Sequence, residues 1–230
     1  MLILALDTTS RAGSVAVVRG TRVLVELAGD EALAHGQRLP VALKDACEAA
    51  GITIEAVECL AVAAGPGSFT GLRIGIATMQ GLAMARGVRI VPVSTLEAVA
   101  AAAPGSPDRV AAWIDAHRGE VFAQVFARTA AGLVPDGEPM PAAPAAVLAA
   151  HAGTLAGAEF HGDGAMRYAA AIQAAFPDAR IAGRVPPLAG AIGAIAGAHP
   201  ERAVLPHAVV PVYVRRPDVE VERERRGTAT

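Results

Sequence analysis

With 230 residues, the chain is long enough for one large domain or two small ones, each with its own core. Hydrophobic residues make up 53% and charged residues 18%, the composition of a folded chain rather than a disordered one. A net charge of −2 and 3% aromatics argue against a self-sufficient nucleic-acid binder, which needs a basic face for phosphates and stacking platforms for bases.

In chain order, Leu2 to Leu6 reads as a buried strand, Ser14 to Val18 as a second and Arg22 to Leu27 as a third. The turn residues between them predict an antiparallel meander. A polar connection through Gly29, Asp30 and Glu31 follows. From Gln37 the period changes: Leu39, Leu43, Ala46, Cys47 and Ala50 fall at helical spacing, Pro40 fits the first turn and Gly51 ends the run. Leu60 to Ala64 is a short apolar strand, leading through Gly65-Pro66-Gly67-Ser68-Phe69-Thr70-Gly71 into a helix from Leu72 to Arg86. Val88 to Val93 is the next strand, and Ser94-Thr95-Leu96-Glu97 is a capping box opening a helix that runs through Ala103. Pro104-Gly105-Ser106-Pro107 breaks the chain and marks the expected boundary between two subdomains, 1–103 and 104–216.

The second half begins again with a strand, Val110 to Ile114, a turn from Asp115 to Gly119 and a strand from Glu120 to Ala127. A Pro/Ala/Gly-rich connection covers Gly132 to Pro144, followed by a short helix to His151. Phe160 to Gly164 reads as a strand end and turn, Tyr168 to Phe176 and Leu188 to His199 as helices, and Pro206 to Val214 as extended chain. The tail, 217–230, alternates charges, keeps valine as its large apolar residue and reads as disordered. Leu4-Ala5-Leu6-Asp7 and Ala112-Trp113-Ile114-Asp115 each end a strand on an aspartate at a turn, a hint of two halves of related topology.

Several chemistries are excluded by residue type. Lys44 is the sole lysine and no G-x-x-x-x-G-K-[ST] occurs, so there is no P-loop. Lys44 reads as a solvated surface residue. Cys47 and Cys59 lack metal-ligand or C-x-x-C spacing and read as core thiols. The apolar start, Met1 to Leu6, has no basic lead and is cut short by Asp7, so it does not read as a signal peptide. No apolar run approaches ~18 residues. The expectation is a cytoplasmic protein with no membrane partner.

Four sets of residues carry candidate chemistry. Asp7, Thr8 and Thr9 with Ser14 form a hairpin turn that could present N–H groups and hydroxyls to a phosphate and a carboxylate to hydrated magnesium; the alternative is side chains bonding their own backbone. Gly65 and Gly67 precede a helix N-terminus, where anions are favoured, with Ser68 and Thr70 as cap residues; the alternative is a connection that needs positive φ. In the helix that follows, Gly71, Gly75, Thr78 and Leu82 share a face. A helical glycine costs about 1 kcal/mol relative to alanine, so this face predicts the close approach of another element, within the fold or in a partner. The six histidines are scattered and no Ser-His-Asp order or H-E-x-x-H pattern emerges. Asp115, His117 and Glu120 gather in one turn, read as a hydrogen-bonded turn or a polar patch. No catalytic or metal-binding set is predicted.

Ile3-Leu4-Ala5-Leu6-Asp7-Thr8-Thr9, the segment Gly65 to Gly75, Val93-Ser94-Thr95-Leu96, Asp115-Ala116-His117-Arg118-Gly119-Glu120-Val121 and Pro211-Val212-Tyr213-Val214-Arg215 together resemble the TsaB (YeaZ) family, in order over nearly the whole chain. His117 stands where that family usually has arginine, and Phe122 where it usually has tyrosine. The resemblance implies an α/β actin-like fold (ASKHA), two subdomains each built on a mixed sheet with helices. It implies a non-catalytic subunit that acts with TsaD, the enzyme that threonylcarbamoylates adenosine 37 (t6A) in tRNAs reading codons that begin with A. It further implies the ATPase TsaE as a second partner, a homodimer when TsaD is absent, and tRNA contact only through the complex. TsaD holds metal through an H-x-x-x-H pair; here His35 is followed four residues on by Leu39, so no metal is expected. The family docks through its first two helices, which assigns Leu39, Leu43, Cys47, Gly71, Gly75, Thr78 and Leu82 to the partner face. Gly75→Leu would then abolish assembly and leave the monomer folded. No cofactor is required on this reading, and weak ATP or ADP binding would fall to Asp7, Thr8, Thr9, Ser14, Gly65 and Gly67. The reading from another class is an enzyme acting alone, a nucleotide-dependent actin-fold protein or a metallopeptidase.

Overall fold

A computed structural model describes residues 1–29, 35–105, 107–130 and 132–212. The Asp30–Glu31 connection, the Tyr213-Val214-Arg215 motif and the charged tail lie outside these residues. Strands β1 (Leu2–Asp7), β2 (Ser14–Arg19) and β3 (Arg22–Ala28) form the predicted meander. Helix α1 (His35–Ala49) leads to β4 (Cys59–Gly65), α2 (Phe69–Arg86), β5 (Arg89–Ser94) and α3 (Thr95–Ala101). β1 and β4 are buried along their whole length and are near-continuous apolar runs, as strands covered on both faces require. α2 starts on Ser68, whose Oγ accepts from Gly71 N, and stops at Gly87 in the left-handed region (φ 67°).

The second half repeats the plan: β6 (Arg109–Asp115), β7 (Val121–Thr129), β8 (Gly132–Ala142), α4 (Pro144–Ala150), α5 (Ala152–Leu155), β9 (Glu159–His161), α6 (Asp163–Arg167), α7 (Ala169–Ala175), β10 (Arg180–Ile181) and α8 (Ala189–Ala198). The first sheet has the order β3-β2-β1-β4-β5 and the second β8-β7-β6-β9-β10. In each, the first three strands are antiparallel and the last two join in parallel, so the halves share one topology. Asp7 and Asp115 end equivalent strands, the relation hinted at by the sequence.

The expected Pro-rich connection is corrected to a strand. β8 carries Pro135, Pro139 and Pro141, which would break a central strand, but it lies at the sheet edge, where a missing N–H can face solvent. Three short elements, α5, α6 and β10, were also not anticipated; at four, five and two residues they are too brief to show a period.

The final helix of each half crosses to the other. α3 lies on the inner face of the second sheet, against β6, β7 and β8, while α8 lies on the inner face of the first, against β1 to β4. One core therefore runs between the sheets, through Ile3, Ala16, Val18, Leu96, Val99, Val110, Phe126 and Ile192. A second lies under α1 and α2, and a third, built around Trp113 and Phe160, lies outside the second sheet. A division at 103/104 separates the two sheets and leaves α8 across it from the strands it covers.

Candidate docking face and inter-half loops

Asp7 sits at the end of β1 and is 1% exposed. Its Oδ1 accepts from Thr9 N (2.8 Å) and Thr9 Oγ1 (2.6 Å), and its Oδ2 accepts from Ser10 Oγ (2.7 Å). Of the two readings of this turn, the side chains bonding their own loop is the geometry found. Thr8, fully buried, donates from Oγ1 to the Gly71 carbonyl (2.8 Å). Ser14 Oγ accepts from Leu188 N (3.1 Å) and Ala189 N (3.0 Å), and Glu26 Oε1 accepts from Gly190 N (2.6 Å). The unpaired donors that any helix N-terminus carries are thus met, at α8, by side chains of the first sheet. Burial raises the Glu26 carboxyl above its ordinary value against the Gly190 hydrogen bond, and the Asp7 charge adds to the rise.

The glycine segment folds onto that same turn. A Cβ on Gly67 would lie 2.6 Å from Thr9 Cβ, one on Gly71 2.0 Å from the Thr8 carbonyl oxygen, and one on Gly75 2.1 Å from Thr8 Oγ1. Ser68 N donates to Thr9 O (3.2 Å). Gly65, at φ 116°, is closed over by the returning chain, whose Val212 N donates to Ala64 O (2.7 Å). The close approach predicted from the helical glycines therefore exists, but it is internal. Gly71 and Gly75 are buried against Thr8, which corrects their assignment to a partner helix and the expectation that Gly75→Leu leaves the monomer folded.

Leu39, Leu43 and Cys47 of α1 also point inward, at 6%, 5% and 3% exposure, in the core beneath the two helices. Their apolar period marks the face that the sheet covers and not the one left open. Thr78 is half-buried and donates from Oγ1 to Ile74 O (2.8 Å), and Leu82 packs partly on the same core. The open face of α2 is a different stripe: Phe69, Arg73, Ala77, Gly81 and Met84. Met84 is 74% exposed, Phe69 42%, and Val41 on α1 60%. Arg73 is the one charge on the stripe and stacks over the Phe69 ring at 3.9 Å, so the stripe is largely apolar, while the open face of α1 also carries Lys44, Asp45 and Glu48. The signal that could have found it was present: the same helical period, read from the positions that face away from the core.

In the second half, Asp115 Oδ1 accepts from His117 N (3.1 Å), and its Oδ2 meets Arg167 Nη1 (3.1 Å). His117 and Arg118 take left-handed backbone (φ 58° and 53°) ahead of Gly119, as a tight hairpin needs. Glu120 N donates to the His117 carbonyl (3.0 Å), so the turn is hydrogen-bonded throughout. Among the described residues no group of three or more His, Cys, Asp or Glu side chains could hold a metal ion. Cys47 and Cys59 are free buried thiols, as expected, with burial raising both above the ordinary value. Among the described residues no helix is long and apolar enough to cross a membrane.

Two halves of identical mixed-sheet topology with exchanged final helices define an α/β protein of the actin-like class. The family model for tRNA N6-adenosine threonylcarbamoyltransferase, TsaD, matches residues 30–177. The tRNA threonylcarbamoyladenosine biosynthesis protein TsaB of Escherichia coli is 39% identical over 137 residues, 58% of each chain. That of Haemophilus influenzae is 38% identical over 125 residues, 53% of this chain and 52% of the relative. The chain thus spans just over half the length of these two relatives. A solved Pseudomonas aeruginosa structure, described as an uncharacterized protein with similarity to peptidase YEAZ, superposes with a TM-score of 0.80 at 30% identity, over 93% of this chain and 99% of that one. The chain belongs to the TsaB (YeaZ) family, a branch of the TsaD-related actin-like proteins.

Proposed function

We propose that this chain is a non-catalytic platform subunit in t6A formation at adenosine 37 of tRNAs reading codons that begin with A. It docks on TsaD through the open faces of α1 and α2, TsaE joins the pair, and a second copy takes the same surface when TsaD is absent. The observation that carries the reading is the exposed apolar stripe of Phe69, Ala77, Gly81 and Met84, beside Val41 of α1. An exposed apolar stripe with an aromatic anchor, rimmed by the charged Lys44, Asp45 and Glu48 of α1, favours a protein partner. Membership of the TsaB family supports the choice of partner, and the net charge of −2 supports contact with tRNA through the complex alone. The site of action is the cytoplasm.

No cofactor is required on this reading. The Asp7 carboxylate and the Thr8, Thr9 and Ser14 hydroxyls already serve the fold, which supports a scaffold over an enzyme. Weak ATP or ADP binding at that turn is tested by titration in the presence of magnesium. The deciding experiment is reconstitution of tRNA modification from TsaD and TsaE with and without this chain. Modification that depends on it, with co-elution of TsaD, supports the platform; undiminished modification in its absence, or turnover of ATP by the chain alone that is lost in Asp7→Ala, overturns it.

A further inference from the structure

The edge of the second sheet holds a cavity that the platform role leaves unexplained. It has a volume of about 350 Å³ and lies between β9, β10, the 182–186 connection and the end of α3. Ala102, Pro104, Ile181 and Pro186 give it apolar walls, and Glu159, His161, Arg180 and Arg184 supply its polar groups. His161 is 5% exposed, and its Nε2 has no hydrogen-bond partner. The nearest carboxylate oxygen, Glu159 Oε2, stands 3.6 Å away, beyond hydrogen-bond length. The other Glu159 oxygen is held by Arg180 Nη1 at 2.8 Å. Burial lowers the imidazole from its ordinary value and outweighs the neighbouring carboxylate.

A buried ring nitrogen without a partner is costly, and in native proteins such atoms mark the place of a water, an ion or a ligand. Arg184 lines the same cavity, is exposed, and makes no ion pair or hydrogen bond among the described residues. Two guanidinium groups face one carboxylate there, which leaves an excess of positive charge. A cation is disfavoured by that excess and by the presence of only two ligating side chains, Glu159 and His161, in the lining. We propose that this cavity binds a small molecule bearing an oxyanion, a carboxylate or a phosphate, held by Arg184 and by the Nε2–H of His161. A rotation of the Glu159 side chain, with Arg180 keeping its grip on the other oxygen, opens Nε2 to the ligand. The volume lies at the lower end of the range for small-molecule sites, about 300–1,000 Å³.

The test is nuclear magnetic resonance of the His161 imidazole in the isotope-labelled full chain, titrated with inorganic phosphate and separately with succinate at ionic strength fixed by sodium chloride. The His161 signals are expected to shift saturably with at least one of the two. Phosphate alone points to a phosphorylated ligand and succinate alone to a carboxylate. Arg184→Ala, a surface change, is expected to weaken the response about tenfold or more, the usual loss for a charge-assisted hydrogen bond. The resonance is assigned through bonds from the backbone, so the result does not depend on His161→Gln folding. No saturable shift with either anion, or an affinity unchanged in Arg184→Ala, overturns the proposal.

Discussion

Gly75 and Gly81 lie on one helix and make opposite demands. A Cβ at Gly81 meets nothing within 4 Å, whereas one at Gly75 meets Thr8, which is fully buried and tied to Gly71 O. Gly81→Ala is expected to stabilise the chain by about 0.5–1 kcal/mol through helix propensity. Gly75→Ala is expected to destabilise it by about 1–3 kcal/mol, since overpacking outweighs the same propensity gain. Chemical denaturation of the two variants checks both, and equal effects at the two positions would refute the internal role of the stripe. The sequence made the glycine pattern visible but not its neighbour, because Thr8 lies 63 residues from Gly71 and a helical period carries no information about distant chain. Glu26 adds a pH dependence. Its carboxyl sits above the ordinary value in the folded state, so its contribution is fully present below the unfolded-state pKa and is lost as pH rises through the folded one. Stability relative to Glu26→Gln is therefore expected to fall from acid toward neutral pH, measured by denaturation at a series of pH values. A flat difference would remove Glu26 as the source.

On the proposed docking model, the two faces of α1 and α2 separate assembly from folding. Met84→Glu and Val41→Glu change open positions, and each is expected to shift stability by less than about 0.5 kcal/mol. Both should abolish co-elution with TsaD. Leu39→Ala and Leu43→Ala open the core instead and are expected to cost about 2–5 kcal/mol. If the surface variants still bind TsaD as the unaltered chain does, the docking face lies elsewhere. Most elements were legible because the apolar period changes sharply between them: the meander, both long helices and the capping box at Ser94 fall within a few residues of their expected bounds. β8 was not legible, since prolines forbid a strand only when both of its edges are paired. The burial of Leu39, Leu43 and Cys47 was missed for a related reason. Hydrophobic spacing locates the buried side of a helix, and these three residues mark the side that packs on the core.

Across the whole molecule, the exchange of α3 and α8 makes each half incomplete alone. The paired aspartates at Asp7 and Asp115 betrayed the duplication, but the sequence of α8, built from alanine, glycine and isoleucine, has no polar side to say which sheet it covers. Gly193 and Gly197 let it lie close on the first sheet: a Cβ would stand 2.5 Å from Val18 Cγ2 and 1.8 Å from the Gly20 carbonyl oxygen. Ser14→Ala removes the acceptor for two of its N–H groups and is expected to cost about 1–2 kcal/mol, with hydrogen exchange at Leu188 and Ala189 rising first. A fragment of residues 1–103 is expected to bind hydrophobic dyes and aggregate, because Ala5, Ala16 and Val18 lose their cover; a monodisperse fragment with dispersed amide resonances would contradict this. The same crossing governs synthesis. A ribosome that has added residue 103 must add about 95 more before α8 exists, which at about 5–20 residues per second leaves the nascent first sheet half-dressed for about 5–20 seconds. Chaperones that bind exposed apolar strands should therefore meet this chain during translation, and their occupancy should drop once α8 has emerged from the ribosome.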